Sequence, residues 1–125
     1  MSYIEKRPKT IFSDIDGTLV EHVSPFESTN PNHKMKLLPG TIEKLQDWDM
    51  KGYYIILTTG RKESMRKSTE IQLAEAGIMY DQLIMGIGGG VRVLINDTKP
   101  YGDFNTAEAI NLNRNEGIKN IKIWE

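Results

Sequence analysis

No cysteine occurs among the 125 residues. That excludes a disulfide framework, a thiolate zinc centre and a cysteine nucleophile, and it fits a reducing compartment. No apolar run approaches the roughly 20 residues of a membrane span, and the opening "MSYIEKRPKT" lacks the apolar block of a signal peptide. The expected location is therefore cytoplasmic, with no membrane contact. Neither sign of charge dominates: 16 Lys and Arg stand against 17 Asp and Glu, a net −1. This balance argues against a nucleic-acid coat, so nucleic acid is an unlikely partner. Repeats and low-complexity segments are also lacking. The length suits one domain, residues 1–125, with a core of its own.

What is present is a set of short apolar runs separated by helical patterns. Thr10 to Ser13 reads as a buried strand. The following stretch, "EHVSPFESTNPNHKMKLLPG", holds Pro25, Pro31 and Pro39. It lacks periodicity, so residues 20–38 read as a loop or small hairpin excursion. "PGTIEKLQDWDMKG" predicts a helix capped by Thr41, with Ile42, Leu45 and Trp48 on its apolar face and Gly52 at its end. "YYIILTT" is aromatic and β-branched throughout, a buried strand. "RKESMRKSTEIQLAEAG" predicts a second helix with Met65, Thr69, Leu73 and Ala76 in line and Gly77 as its stop. "QLIM" and "VRVLIN" predict two more strands, with a glycine loop between them. "AEAINL" is expected as an edge strand, and "GIKNIKIWE" shows no pattern that places it.

Apolar strands alternating with helices predict a mainly parallel sheet covered on both faces, a three-layer α/β/α arrangement. Ligands in such folds bind beyond the carboxyl ends of the strands. The first strand ends in Asp14 and Asp16, the second in Thr58, Thr59, Gly60 and Arg61, and the fourth in Asn96 and Asp97. All three clusters are expected on one rim.

The pair Asp14 and Asp16 poses its own question. Residues two apart on a strand point to the same side. Two like charges there require a cation between them or a protonated carboxyl. Carboxylates with a threonine on one rim suggest a magnesium site that handles phosphate, because Mg²⁺ is a hard ion that takes oxygen ligands and keeps waters. A carboxylate can attack phosphorus, and a second can move the proton. A calcium-binding EF-hand loop is a poor rival: its sixth and twelfth positions, counted from Asp14, are Leu19 and Pro25.

"DIDGTLV", "ILTTGR" and "LIND", in that order and spacing, resemble the haloacid dehalogenase (HAD) superfamily of phosphohydrolases. The resemblance implies a Rossmann-like fold, with no large cap because only about twenty residues separate Thr18 from Leu38. It implies Asp14 as nucleophile, Asp16 as general acid and base, and Thr59 as a hydrogen-bond donor to the phosphoryl group. Mg²⁺ would be held by Asp14, Asp16 and Asp97, with Asn96 where many relatives carry another Asp. Gly60 and Arg61 would contact substrate. Relatives place a Lys or Arg ahead of the last acidic motif. Here only Arg92 precedes it, and on a strand from Val91 to Ile95 it would sit roughly 16 Å from Asp97, on the wrong rim. Lys99, beyond that strand's carboxyl end, is the better-placed cation, with Arg61 next.

The expected activity is magnesium-dependent phosphomonoester hydrolysis on a small phosphorylated metabolite such as a sugar phosphate. The alternatives are a polynucleotide end phosphatase and a non-catalytic binding module. A domain without a cap either takes large substrates or shelters its site with a neighbouring copy, so a homo-oligomer is open.

Overall fold

The computed structural model describes residues 7–98 and 105–123. Three parallel strands lie in the order β1–β2–β3: Thr10–Asp14, Tyr54–Thr58 and Gln82–Ile84. Helix α1 (Pro25–Ser28) lies in the excursion, α2 (Thr41–Met50) leads into β2, and α3 (Arg66–Ala76) links β2 to β3. The result is a small α/β fold of the Rossmann-like kind expected from sequence, with no cap evident among the described residues.

The strand–helix alternation read from sequence holds for these elements. β2 is the central strand, and its Ile55, Ile56 and Leu57 are all buried, as a strand covered on both faces requires. Leu45 and Trp48 of α2 and Leu73 of α3 join Ile55, Leu57, Ile15 and Leu19 in one core. The register pairs Asp14 with Thr58, so the carboxyl ends of β1 and β2 finish side by side.

The excursion is closed at its base. An antiparallel bridge joins Val20 to Leu37, Glu21 N–H donates to the Lys36 carbonyl at 2.8 Å, and Leu38 N–H donates to that of Leu19 at 3.0 Å. Within it, Ser24 caps α1 by accepting from Glu27 N–H at 3.2 Å.

Three expectations are corrected. First, Thr41 does not cap α2: Gly40 stands at that position. The Thr41 hydroxyl is buried and donates to the Leu19 carbonyl at 2.6 Å, tying the helix to the loop after β1. Second, the helix expected from Arg61 begins at Arg66, after a 3₁₀ turn at Glu63–Met65. Third, "VRVLIN" forms no strand: residues 91–98 have no regular structure, and Val91 and Ile95 are 92% and 88% exposed. β-propensity reflects packing on a pleated surface, and without a neighbouring strand a β-branched run has nothing to pack on. "AEAINL" is likewise not a strand.

The segment that sequence did not place packs on the core. Ile118 is buried there, and its N–H and that of Lys119 both donate to the Pro39 carbonyl at 3.0 Å. Two glycines allow this approach. A Cβ on Gly117 would lie 2.7 Å from the Pro39 oxygen, and one on Gly40 would lie within 2.4 Å of the Lys119 backbone.

Candidate active site

The rim is built where β1 and β2 end. After Asp14 the chain folds into a tight turn: Leu19 N–H donates to the Ile15 carbonyl at 2.9 Å and Gly17 N–H to that of Val20 at 2.8 Å. Gly17 has φ +88°, a left-handed conformation that side chains resist, and the Arg114 side chain lies directly against it. Ile15 is fully buried, which anchors the turn and leaves Asp14 and Asp16 on its outer side. The Asn115 N–H donates to the Gly17 carbonyl, and the Asn115 side chain accepts from His22 N–H, both at 2.8 Å.

Asp14 is exposed at the end of β1. Its carboxyl is nevertheless pushed above the ordinary carboxylate range. Desolvation by the surrounding atoms is the main cause, and the Asp16 charge adds to it. The Ile15 N–H, the Arg92 charge and the Thr18 hydroxyl act in the opposite direction.

Asp16 answers the like-charge question differently from Asp14. Its carboxylate is clamped by Arg61, with Nε donating to Oδ2 at 3.0 Å and Nη2 to Oδ1 at 2.9 Å. Arg61 is 7% exposed and the Asp16 side chain 20%. This two-point match of planar groups fixes orientation as well as charge. The remaining nitrogen, Nη1, donates to Thr69 Oγ1 at 3.2 Å and Gln72 Oε1 at 2.7 Å. The guanidinium is therefore committed to Asp16 and α3, not presented to solvent as a free phosphate contact.

Thr59 lies immediately beyond β2 and is buried. Its N–H donates to the Ile84 carbonyl at 3.0 Å and its carbonyl accepts from Ile87 N–H at 3.1 Å, which fixes the backbone between β3 and the glycine loop. Its Oγ1 accepts from Arg61 N–H at 3.1 Å. A hydroxyl that accepts one bond still has its own hydrogen to donate. Gly60 follows with no room to spare, since a Cβ there would lie 3.1 Å from the Ile87 oxygen.

Asp14, Asp16, Thr59, Gly60 and Arg61 thus come together; Asp97 does not join them. Among the described residues no three His, Asp or Glu side chains lie close enough to hold a metal ion. Asp97 sits in the exposed 91–98 segment, where its carbonyl accepts from the Thr106 hydroxyl at 2.5 Å. Lys99 lies outside the described residues. Arg92 also departs from expectation. Because no strand holds it away, its charge reaches Asp14, while its Nη1 donates to the Gly88 and Gly90 carbonyls at 2.6 Å each.

The donors present are compatible with magnesium, which is often held by only one or two carboxylates together with waters and substrate oxygens. Asp14 offers an exposed carboxylate. Among the described residues no N–H donates to the Asp16 main-chain carbonyl, which leaves that oxygen available.

The family model described as the LNS2 domain of PITM 1-3 matches residues 11–97. The chain belongs to this LNS2 family. LNS2 domains have a HAD-like phosphatase fold, in agreement with the motif resemblance. One chain in a structure of a Pnkp1/Rnl/Hen1 complex is 32% identical, with a TM-score of 0.54 over 69% of this chain and 30% of its own. A second structure, of the Pnkp1/Rnl/Hen1 RNA repair complex, gives 31%, 0.53, 77% and 28%. This LNS2 domain therefore spans under a third of the length of those chains. A crystal structure of a protein from Vibrio cholerae shares the fold at 19% identity, with a TM-score of 0.50 over 70% of this chain and 79% of its own. No curated protein matches the chain.

In this LNS2 domain sequence reasoning missed Thr69, Gln72 and the segment around Asn115. Thr69 falls on the apolar stripe expected for α3, which hides its polar role. Gln72 shows no local pattern at all, because its partners are Arg61 and the Ser28 carbonyl, 11 and 44 residues away.

Proposed function

We propose that this domain is a phosphomonoester hydrolase that works through an aspartyl-phosphate at Asp14. The observation that carries the reading is the division of labour between the two carboxylates. Asp14 is exposed at the strand end, paired in register with Thr58, the residue before Thr59, while Asp16 is held in one orientation by Arg61.

In this reading an Asp14 oxygen bonds to phosphorus as the bond to the leaving oxygen breaks, and Asp16 gives that oxygen its proton. Water then attacks the phosphoryl group, its proton passes to Asp16, and the bond from phosphorus to Asp14 breaks. Clamping by Arg61 uses one lone-pair direction on each Asp16 oxygen and leaves others for proton transfer. Thr59 donates to a phosphoryl oxygen, and the Gly60 backbone lines the same corner. Arg92 supplies the positive charge expected beside the phosphoryl group, with Lys99 the second candidate.

Asp14 and the Asp16 carbonyl would hold magnesium, and Asp97 would add a third contact if the 91–98 segment closes over the rim. The ion would offset the negative charge of the phosphoryl oxygens. The substrate is a small phosphorylated metabolite, reached without a cap domain. A polynucleotide end phosphatase is the second reading, favoured by the 32% identity to a chain of the Pnkp1/Rnl/Hen1 complex. No helix among the described residues is long and apolar enough to cross a membrane.

The test is phosphate release from p-nitrophenyl phosphate, with and without Mg²⁺. Release by wild type that is lost in Asp14→Asn is the expected result. No release under several divalent metals would refute the reading in favour of a binding module. A 3′- or 5′-phosphorylated oligonucleotide, run beside a sugar phosphate, separates the two substrate classes.

A further inference from the structure

We propose that Gln72 is a positioning residue that ties the excursion between β1 and α2 to the catalytic carboxylate Asp16. The proposal rests on the hydrolase reading for the role of Asp16, and on geometry for the rest.

Gln72 lies on α3 and is buried. Its Oε1 accepts from Arg61 Nη1 at 2.7 Å, and its Nε2 donates to the Ser28 carbonyl at 3.2 Å. The chemistry of its neighbours fixes the amide orientation. A guanidinium only donates and a carbonyl only accepts, so a flipped amide would face like against like at both ends. Thr69, fully buried one turn earlier on α3, accepts from the same Arg61 nitrogen. The chain of bonds therefore runs from the Ser28 carbonyl through Gln72 and Arg61 to both oxygens of Asp16.

Every link is buried or nearly so, where an unpaired polar group is costly and alternative partners are few. At the outer end, Ser28 closes α1, with its hydroxyl donating to the Pro25 carbonyl at 3.1 Å. Phe26 on the same turn is 85% exposed. The excursion is thus not a passive loop: its inner end anchors the side chain that holds Arg61 in register with Asp16.

Gln72→Met keeps the length of the side chain and removes both polar ends. A displaced general acid matters most when the leaving oxygen needs a proton. Expected, therefore, is a fall of about 10-fold in kcat/KM for β-glycerophosphate and a much smaller fall for p-nitrophenyl phosphate, whose leaving group departs as the anion. Thr69→Val should show the same bias more weakly, and Thr69→Ser should restore the wild-type ratio.

In parallel, NMR of ¹⁵N-labelled wild type should show a slowly exchanging Arg61 Nε–H, lost in Gln72→Met while the melting temperature shows the fold intact. Equal falls on the two substrates, or none, would overturn the proposal. If wild type hydrolyses neither ester, the hydrolase reading fails. The NMR arm then decides the positioning role alone: loss of the Arg61 signal supports it and an unchanged signal overturns it.

Discussion

Replacing Arg61 with Met tests the central ion pair directly. The guanidinium bridges Asp16, Thr69 and Gln72 through four hydrogen bonds of 2.7 to 3.2 Å. Methionine fills much of the volume and meets none of those acceptors. Removing one partner of a buried pair typically costs 3–5 kcal/mol, because the other charge stays behind unpaired. Asp16 retains 20% exposure, so water offsets part of this and the low end, about 3 kcal/mol, applies. Unfolding entropy of about 2.1 cal/mol/K per residue gives about 0.26 kcal/mol/K for 125 residues. The expected drop in Tm is therefore about 11 °C, readable by circular dichroism and checked by urea denaturation with an unchanged m-value. Adding Asp16→Asn should recover at least about 1 kcal/mol, since the stranded charge is gone. A loss below about 1 kcal/mol for Arg61→Met would put the pair in the class of surface bridges. It would refute the claim that Asp16 is held by a desolvated clamp.

The raised pKa of Asp14 gives a pH signature. The folded protein holds this proton more tightly than the unfolded chain, so the contribution is complete below about pH 3 and is lost as pH rises through the elevated native value. Asp14→Asn should therefore melt higher than wild type at pH 7, with the gap closing toward pH 3; equal melting at pH 7 would contradict it. Gly117→Ala should cost about 2–3 kcal/mol, from a positive φ of +88° and a Cβ forced to 2.7 Å from the Pro39 oxygen; a change under about 0.5 kcal/mol in a urea titration would mean that this contact is not close-packed. Thr41→Val is nearly isosteric and removes one of the two donors to the Leu19 carbonyl, which keeps Leu38 N–H, for about 0.5–1.5 kcal/mol; a loss above about 3 kcal/mol in the same titration would mean that the hydroxyl does more than make this one bond.

The legible parts of the fold were those set by local pattern. β1, β2, α2 and the "TTGR" corner carry their signals in consecutive residues, and Asp14, Asp16 and Thr59 fall where strand ends place them. What failed depended on distant partners. Arg61 opens the run expected as the second helix, but it turns inward to a carboxylate 45 residues earlier in the chain. The run from Val91 to Ile95 has the composition of a strand, yet composition does not supply the neighbouring edge on which a strand is formed. Arg92 belongs on the far rim only if that strand forms. The residues around Ile118 gave no periodicity, because their place is set by two facing glycines at positions 40 and 117.

That same meeting of distant glycines bears on how the protein is made. Asn115 clasps the turn at Gly17, and Ile118 enters a core whose other members were synthesised up to a hundred residues before it. On a ribosome the strands and helices have everything they need once β3 has emerged. The loop bearing Asp16 does not: it waits for Asn115 and Ile118 to emerge, so a nascent chain can hold its strands and helices while the candidate site is still unassembled.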